Sequence, residues 1–453
     1  MVSLIGSIAC RGPSVPASAA AGAGPAGTLP VVESCDMDAL QRRVDAAAPG
    51  ATVEACAGVV TGGLVLWQDI VLVAHPDGSV LEGEPDAPAV WVVSGAATLR
   101  GLEVRGGGGV VEAGFSGDDQ PVGGGVSAWR SAGLRLEGCW VHDNTAAWGA
   151  GVMGSEDGPT ELIDTRVENN VAETMAGGVW MRQGSMRGAR IAGNAAPYAG
   201  GVALRRRAAT PTVRVDLADS LIEDNDGDVQ GGGLFVMGAL DVHGGQLRGN
   251  RAQMGANLHA FTWTGALVGT SLSEGAADVG GGGALIEDSP GARLVGVELR
   301  GNRATAVGLE PVGNVGGGVW ATNSALRVED SVLDSNEADW GGGLLSAAVP
   351  SREAEAQVSL LGVSLTHNEG RAQGGALALV NGTLTIAGGV VGGNAAATGG
   401  GLHISGGAVH VVGVGWGRPS ANAPDDIAAP TGTLALPTAD RVRCEVGGCE
   451  ALP

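Results

Sequence analysis

An asparagine, a short polar gap, two or three glycines and then an aliphatic residue recur along the chain, as in "DSNEADWGGGLLS", "GNAAPYAGGVAL" and "GGNAAATGGGLHIS". Aligned on the asparagine, Asn144, Asn170, Asn194, Asn225, Asn250, Asn302, Asn336, Asn368 and Asn394 share one column, with Gly107 and Gly275 standing in. Most intervals are 24 to 27 residues and four are 31 to 37. Three positions earlier lies an aliphatic in every unit, from Val104 and Val141 to Leu365 and Val391. Eight positions earlier lies a second apolar column, including Leu136, Leu162, Met186 and Leu217. Such a repeat cannot bury its apolar positions alone, but stacked copies can.

Each unit reads as three short alternating segments, that is, strands with one buried face. A period near 25 is too short for a propeller blade and lacks the helices of ankyrin or tetratricopeptide units. The expected fold is all-β: a right-handed parallel β-helix of three-strand coils, with about eleven regular coils. Stacking in register would place aliphatics inside and an asparagine ladder at one turn. Asparagine suits that turn because it tolerates the left-handed region and its amide can bond along the stack. The glycines suit a crowded corner. The longer intervals read as coils with inserted loops.

The ends need caps, because a stack leaves open strand edges. Residues 1–33 read as an export segment and flexible tether, and 34–96 as an N-terminal cap with the first coils. The regular repeats occupy 97–414. Residues 415–453 are too rich in proline to continue them and read as a C-terminal cap with a cysteine loop. The N-terminal cap is expected to be a short helix, Asp36–Ala48, laid over the first coil.

Glycine is 82 of 453 residues, yet 44% of the chain is hydrophobic, so a core can form. The formal net charge is −22, and every basic residue is arginine. Only Arg205–Arg207 offers a basic run, so nucleic-acid binding is not expected. The nine residues before Cys10 are small or apolar, like a bacterial lipoprotein cleavage site, although no arginine or lysine precedes them. Lipidation of Cys10 would be the chain's link to a membrane, since no window could form a spanning helix. Cys35 with Cys56, and Cys444 with Cys449, are expected to form disulfides that staple the two ends in an oxidising compartment.

The repeats resemble those of polymorphic outer-membrane proteins, whose units pair a Gly-Gly-aliphatic motif with an aromatic-x-x-Asn motif. The chain has "AGGVW", "YAGGVAL" and "QGGAL", with an aliphatic replacing the aromatic in "VHDN", "IEDN", "LRGN" and "LDSN". The stretch "LQRRVDAAAPGATVEACAG" is similar to the first coil of many exported right-handed β-helix proteins, pectin-degrading enzymes among them. The resemblance implies a cell-envelope, outer-membrane-surface or secreted location.

Catalytic signals are sparse. Asp118 and Asp119 fall on an inserted loop near Glu112, and Asp425 and Asp426 fall in the C-terminal cap; neither pair occupies neighbouring strand columns, where a groove would present paired carboxylates. No catalytic residue is assigned. Asp224, Asp226 and Asp228 alternate around Asn225, a weak pattern for calcium, and no other metal or cofactor is expected. The residue after the buried aliphatic should point outward, which gives the stripe Trp180, Phe235, His259, Trp320 and His403. An apolar exposed stripe marks a contact surface for a carbohydrate or a protein. The expected function is therefore a non-enzymatic surface scaffold with an adhesin-like binding face. The alternative is a polysaccharide-active lyase or hydrolase.

Overall fold

The computed structural model describes residues 35–111, 120–206, 212–304, 314–348, 356–417, 420–431, 433–435, 441–445 and 448–452. Cys10, Glu112, Asp118, Asp119 and Arg207 lie outside the described residues. The architecture is the right-handed parallel β-helix that the repeat predicts. Its two principal sheets hold 27 and 14 strands among the described residues, and the pairing between coils is parallel.

Register follows the sequence columns residue by residue. Leu136 pairs with Leu162 and Leu162 with Met186 in the larger sheet. Val104, Val141, Val167, Ile191 and Ile222 stack in the other. These side chains are fully buried and belong to one continuous core. A buried Leu, Val or Ile contributes about 1.5–3 kcal/mol, so the repeated columns supply most of the drive for coiling.

The asparagine column is a buried ladder. Each side-chain oxygen accepts from the backbone N–H and the side-chain amide of the asparagine one coil earlier, as Asn194 does from Asn170 at 3.0 and 2.9 Å. Each amide also donates to the carbonyl of the aliphatic in the preceding coil, as Asn194 does to Val167 at 2.9 Å. The left-handed backbone falls on the residue before the asparagine and not on the asparagine itself: Asp143, Asn169, Asp224, Ser335 and His367 have φ of 52 to 56°. At Gly275, where the column has no side chain, Asn257 reaches in from the glycine corner. It accepts from Asn250 at 2.8 Å and donates to Asn302 at 2.9 Å, so the ladder is unbroken.

A fourth strand, absent from the three-strand expectation, follows the asparagine in many coils, for example Thr145–Trp148, Val171–Met175 and Glu337–Trp340. Its register slips near its end, as between Ala146 and Trp148. The stack also continues past Val414. Gly415–Trp416 pairs with Val390–Val391, Ile427–Ala428 with Leu402–His403, and Asn422 extends the ladder. Three extra residues between Trp416 and Asn422 put this coil out of phase with the sequence columns.

Helix Met37–Ala46 caps the first coil. Asp36 accepts from the Ala39 N–H at its start, and Leu40 and Val44 are its buried face. Gln41 meets the open strand edge with a pair of bonds to the Val65 backbone, at 2.8 and 2.9 Å, as a neighbouring strand would. Cys35 and Cys56 form the expected disulfide. Near the other end, strands Arg441–Glu445 and Gly448–Leu452 pair antiparallel, with Cys444 opposite Cys449 in register.

Candidate functional site: a groove beside the glycine corner

The outward stripe is not exposed. Trp180 is 2% accessible and His259 1%, and Phe235 and His403 are also buried; Trp320 is half-buried. The fourth strand is the cause. That strand, or the isolated bridge that replaces it in the coils of Tyr198 and Gln230, ends on a large residue at the glycine corner, and those residues (Trp148, Met175, Tyr198, Gln230) stand against the stripe. Trp129 adds an edge contact to Trp180 with ring centroids 5.0 Å apart, and the Arg182 guanidinium lies over both rings. The result is a second apolar core outside the coils, containing Val122, Trp129, Met153, Met175, Trp180 and Phe235.

Between stripe and wall a cavity of about 510 Å³ remains. Its wall is Trp148, Thr174, Met175, Tyr198 and Gln230, and its floor Arg205, Phe235, Met237, Phe261 and Glu287. The floor is an ordered row: Arg205 pairs with Met237, Met237 with Phe261 and Phe261 with Glu287 on adjacent strands. Three strand spacings put the two charged ends about 14 Å apart. Tyr198 is the chain's one tyrosine, and Phe235 and Phe261 are two of its three phenylalanines. This gathering of scarce rings is not a consequence of the coil repeat, which is aliphatic.

Arg205 is partly buried, and burial draws its guanidinium below the ordinary arginine range, with the charge of Arg182 acting in the same direction. It stays charged at neutral pH. Arg182 is paired with Glu156 at 2.5 Å, whereas no acidic group among the described residues pairs with Arg205. At the other end the Glu287 carboxylate lies 3.4 Å from Nε2 of His259, inside ion-pair range but off hydrogen-bond geometry. His259 sits behind the floor, between Phe235 and Phe261. A partly buried cation opening into an aromatic cavity can pair with an anionic group while the rings stack on a cyclic ligand.

Of the expected binding stripe, the structure brings Phe235 to this cavity and His259 behind it; Trp180, Trp320 and His403 are packed elsewhere. The carboxylates proposed for calcium do not converge. Asp224, Asp226 and Asp228 are exposed, and Asp226 accepts from the Asp228 N–H. Among the described residues no group of three His, Cys, Asp or Glu side chains is placed to hold a metal.

No family model matches the chain, and no curated protein matches it. Among solved structures it is similar to the A-module of the Azotobacter vinelandii mannuronan C-5 epimerase AlgE4, at 13% identity and a TM-score of 0.33, covering 88% of this chain and 95% of that one. It is also similar to the Yersinia enterocolitica family 28 exopolygalacturonase, at 11% identity and a TM-score of 0.26, covering 88% and 74%. Likeness at these values concerns the coil. The expectation of a non-enzymatic scaffold is corrected to this extent: the two solved β-helices are an epimerase and an exopolygalacturonase, not scaffolds, and the polysaccharide-active alternative is taken up below as a proposal.

Proposed function

We propose that the chain acts on an acidic polysaccharide in the groove between Tyr198 and Arg205. The observation that carries this reading is Arg205, which has no acidic partner among the described residues and opens into a cavity lined by most of the chain's tyrosine and phenylalanine. A uronate carboxylate would pair with the guanidinium, while the pyranose stacks on Phe235 and Phe261. Neutralising that carboxylate acidifies the adjacent C–H. Tyr198 comes from the same coil as Arg205 and lines the same cavity, and in this reading it transfers the proton. Among the described residues Glu287 is the one carboxylate lining the cavity, so the two-carboxylate arrangement of glycoside hydrolysis has no second member among them. The proposed chemistry is therefore elimination: Tyr198 carries the proton from the carbon beside the carboxylate to the leaving glycosidic oxygen, as the C–O bond to that oxygen breaks and a double bond forms.

The test is solvent deuterium incorporation and chain cleavage on a panel of acidic polysaccharides. The wild-type chain should exchange or eliminate on at least one, and Arg205→Ala and Tyr198→Phe should each reduce the rate at least about 100-fold, the usual contribution of one general acid–base group. Turnover indifferent to Arg205→Ala, or none on any acidic polymer, would remove the reading. An extracellular polymer as substrate also accords with export to the cell surface. Labelled-lipid incorporation at Cys10 tests that location. The kinship with polymorphic outer-membrane repeats is likewise proposed, on the Gly-Gly-aliphatic motif.

A further inference from the structure

The charge pattern of the floor bears on which acidic polymer fits. Along the row Arg205, Met237, Phe261 and Glu287 the sign of charge reverses, with two uncharged side chains between. The row continues beyond Arg205 to the coil of Arg182, whose charge is already paired with Glu156, which leaves Arg205 as the cation facing the cavity. Beyond Glu287 the next residue in the row is Thr322, which is neutral. Among the described residues the Glu287 carboxylate has one basic side chain within ion-pair range, His259 at 3.4 Å, and that imidazole is buried beneath the floor. A polymer lying along the row cannot present a carboxylate at each sugar without setting one against Glu287.

We infer that the groove is built for a heteropolymer, in which uronate units are interrupted by neutral or amino sugars, with Arg205 reading the acid and Glu287 the uncharged or cationic unit. This rests on the reading above, because it assumes that a uronate meets Arg205. The net charge of −22 points the same way: it opposes a uniformly charged polyanion more than one of half the charge density. A hydroxyl or amino group can donate to Glu287, whereas a carboxylate cannot.

The experiment is calorimetric binding of two oligosaccharide sets of equal length to the full chain. One set is homopolyuronate (oligogalacturonate, oligomannuronate); the other alternates glucuronate with N-acetylhexosamine. The alternating set should bind at least about tenfold more tightly, because like charges in one site are strongly disfavoured. Glu287→Gln keeps the shape and should raise homopolyuronate affinity by a similar factor of about ten, while Arg205→Ala should weaken both sets. Near-ultraviolet circular dichroism confirms that each variant is folded. Equal binding of the two sets by the wild-type chain, or no gain for homopolyuronate in Glu287→Gln, overturns the inference while leaving the acidic-polysaccharide reading standing. Failure of every acidic oligosaccharide to bind, or indifference to Arg205→Ala, removes that reading and the inference with it.

Discussion

Asn257 carries the inter-coil ladder between Asn250 and Asn302, across the coil whose column position is Gly275, and truncating it to alanine isolates that role. The side chain makes three bonds: it accepts from Asn250 Nδ2 at 2.8 Å and donates to Asn302 Oδ1 at 2.9 Å and to the Ser273 carbonyl at 3.0 Å. All three asparagines are fully buried, so water does not replace what is lost. At about 1 kcal/mol net per bond the loss is about 3 kcal/mol. Partners retained elsewhere limit it: Asn302 still accepts from the Gly275 N–H, and Asn250 still donates to Ile222. The comparison is Asn194→Ala in the uninterrupted ladder, where four bonds disappear and about 4 kcal/mol is expected. Stacked coils need not unfold in one step, so local stability by amide hydrogen exchange is the proper assay, with urea unfolding beside it. Protection should fall in the coils on either side of Asn257. A loss below about 1 kcal/mol would refute the claim that a continuous ladder holds this corner, since it would be no more than one average hydrogen bond.

Leu162→Ala, between Leu136 and Met186 in the interior column, should cost about 2–5 kcal/mol in urea unfolding, because the stacked coils cannot collapse onto the space. Replacing Cys35 and Cys56 by alanine opens a loop with a sequence separation of 21 and should cost about 3 kcal/mol, with hydrogen exchange rising first in helix Met37–Ala46. His403 is held below the ordinary imidazole range by burial, against an opposing effect of Asp425. The unfolded chain therefore binds the proton more readily, and stability should fall as pH drops through about 6.5, the ordinary value. His403→Gln should flatten that part of the stability–pH curve; an unchanged slope would show that another group is responsible.

The interior of the coil is legible in the sequence because each coil buries the same two positions, and parallel pairing then sets like upon like. The asparagine column is legible for the same reason, but its conformation is easy to misplace. A lone asparagine before glycines looks like the left-handed residue of a turn. In the ladder its amide is spent on the next coil, and the position before it turns the chain. That column reads Asp143, Asn169, Gly193, Asp224, Gly249, Glu274, Gly301, Ser335, His367 and Gly393; all but Glu274 and Ser335 are glycine, aspartate, asparagine or histidine, types that accept positive φ, so the signal is present one place to the left.

The groove is harder to read, for a reason that lies in the fourth strand. Its segments ("TAAW", "VAETM", "EADW") show no period of two, because the register slips between Ala146 and Trp148, and between Ala338 and Trp340. The slip turns the last side chain over the stripe instead of into water. What sequence does show is a column of large residues immediately before the glycine corner: Trp148, Met175, Tyr198, Gln230, Met254, Trp340 and Gln373. An apolar stripe on the outward face, repeated over many coils, needs a cover to be tolerated, and this second column has the same period. Taken together the two columns predict a covered seam. A ligand site then belongs where cover and stripe fail to meet. The proposed site is the coil of Tyr198, where Ala203 stands between Trp180 and Phe235 in the stripe and Arg205 follows with no acidic partner among the described residues.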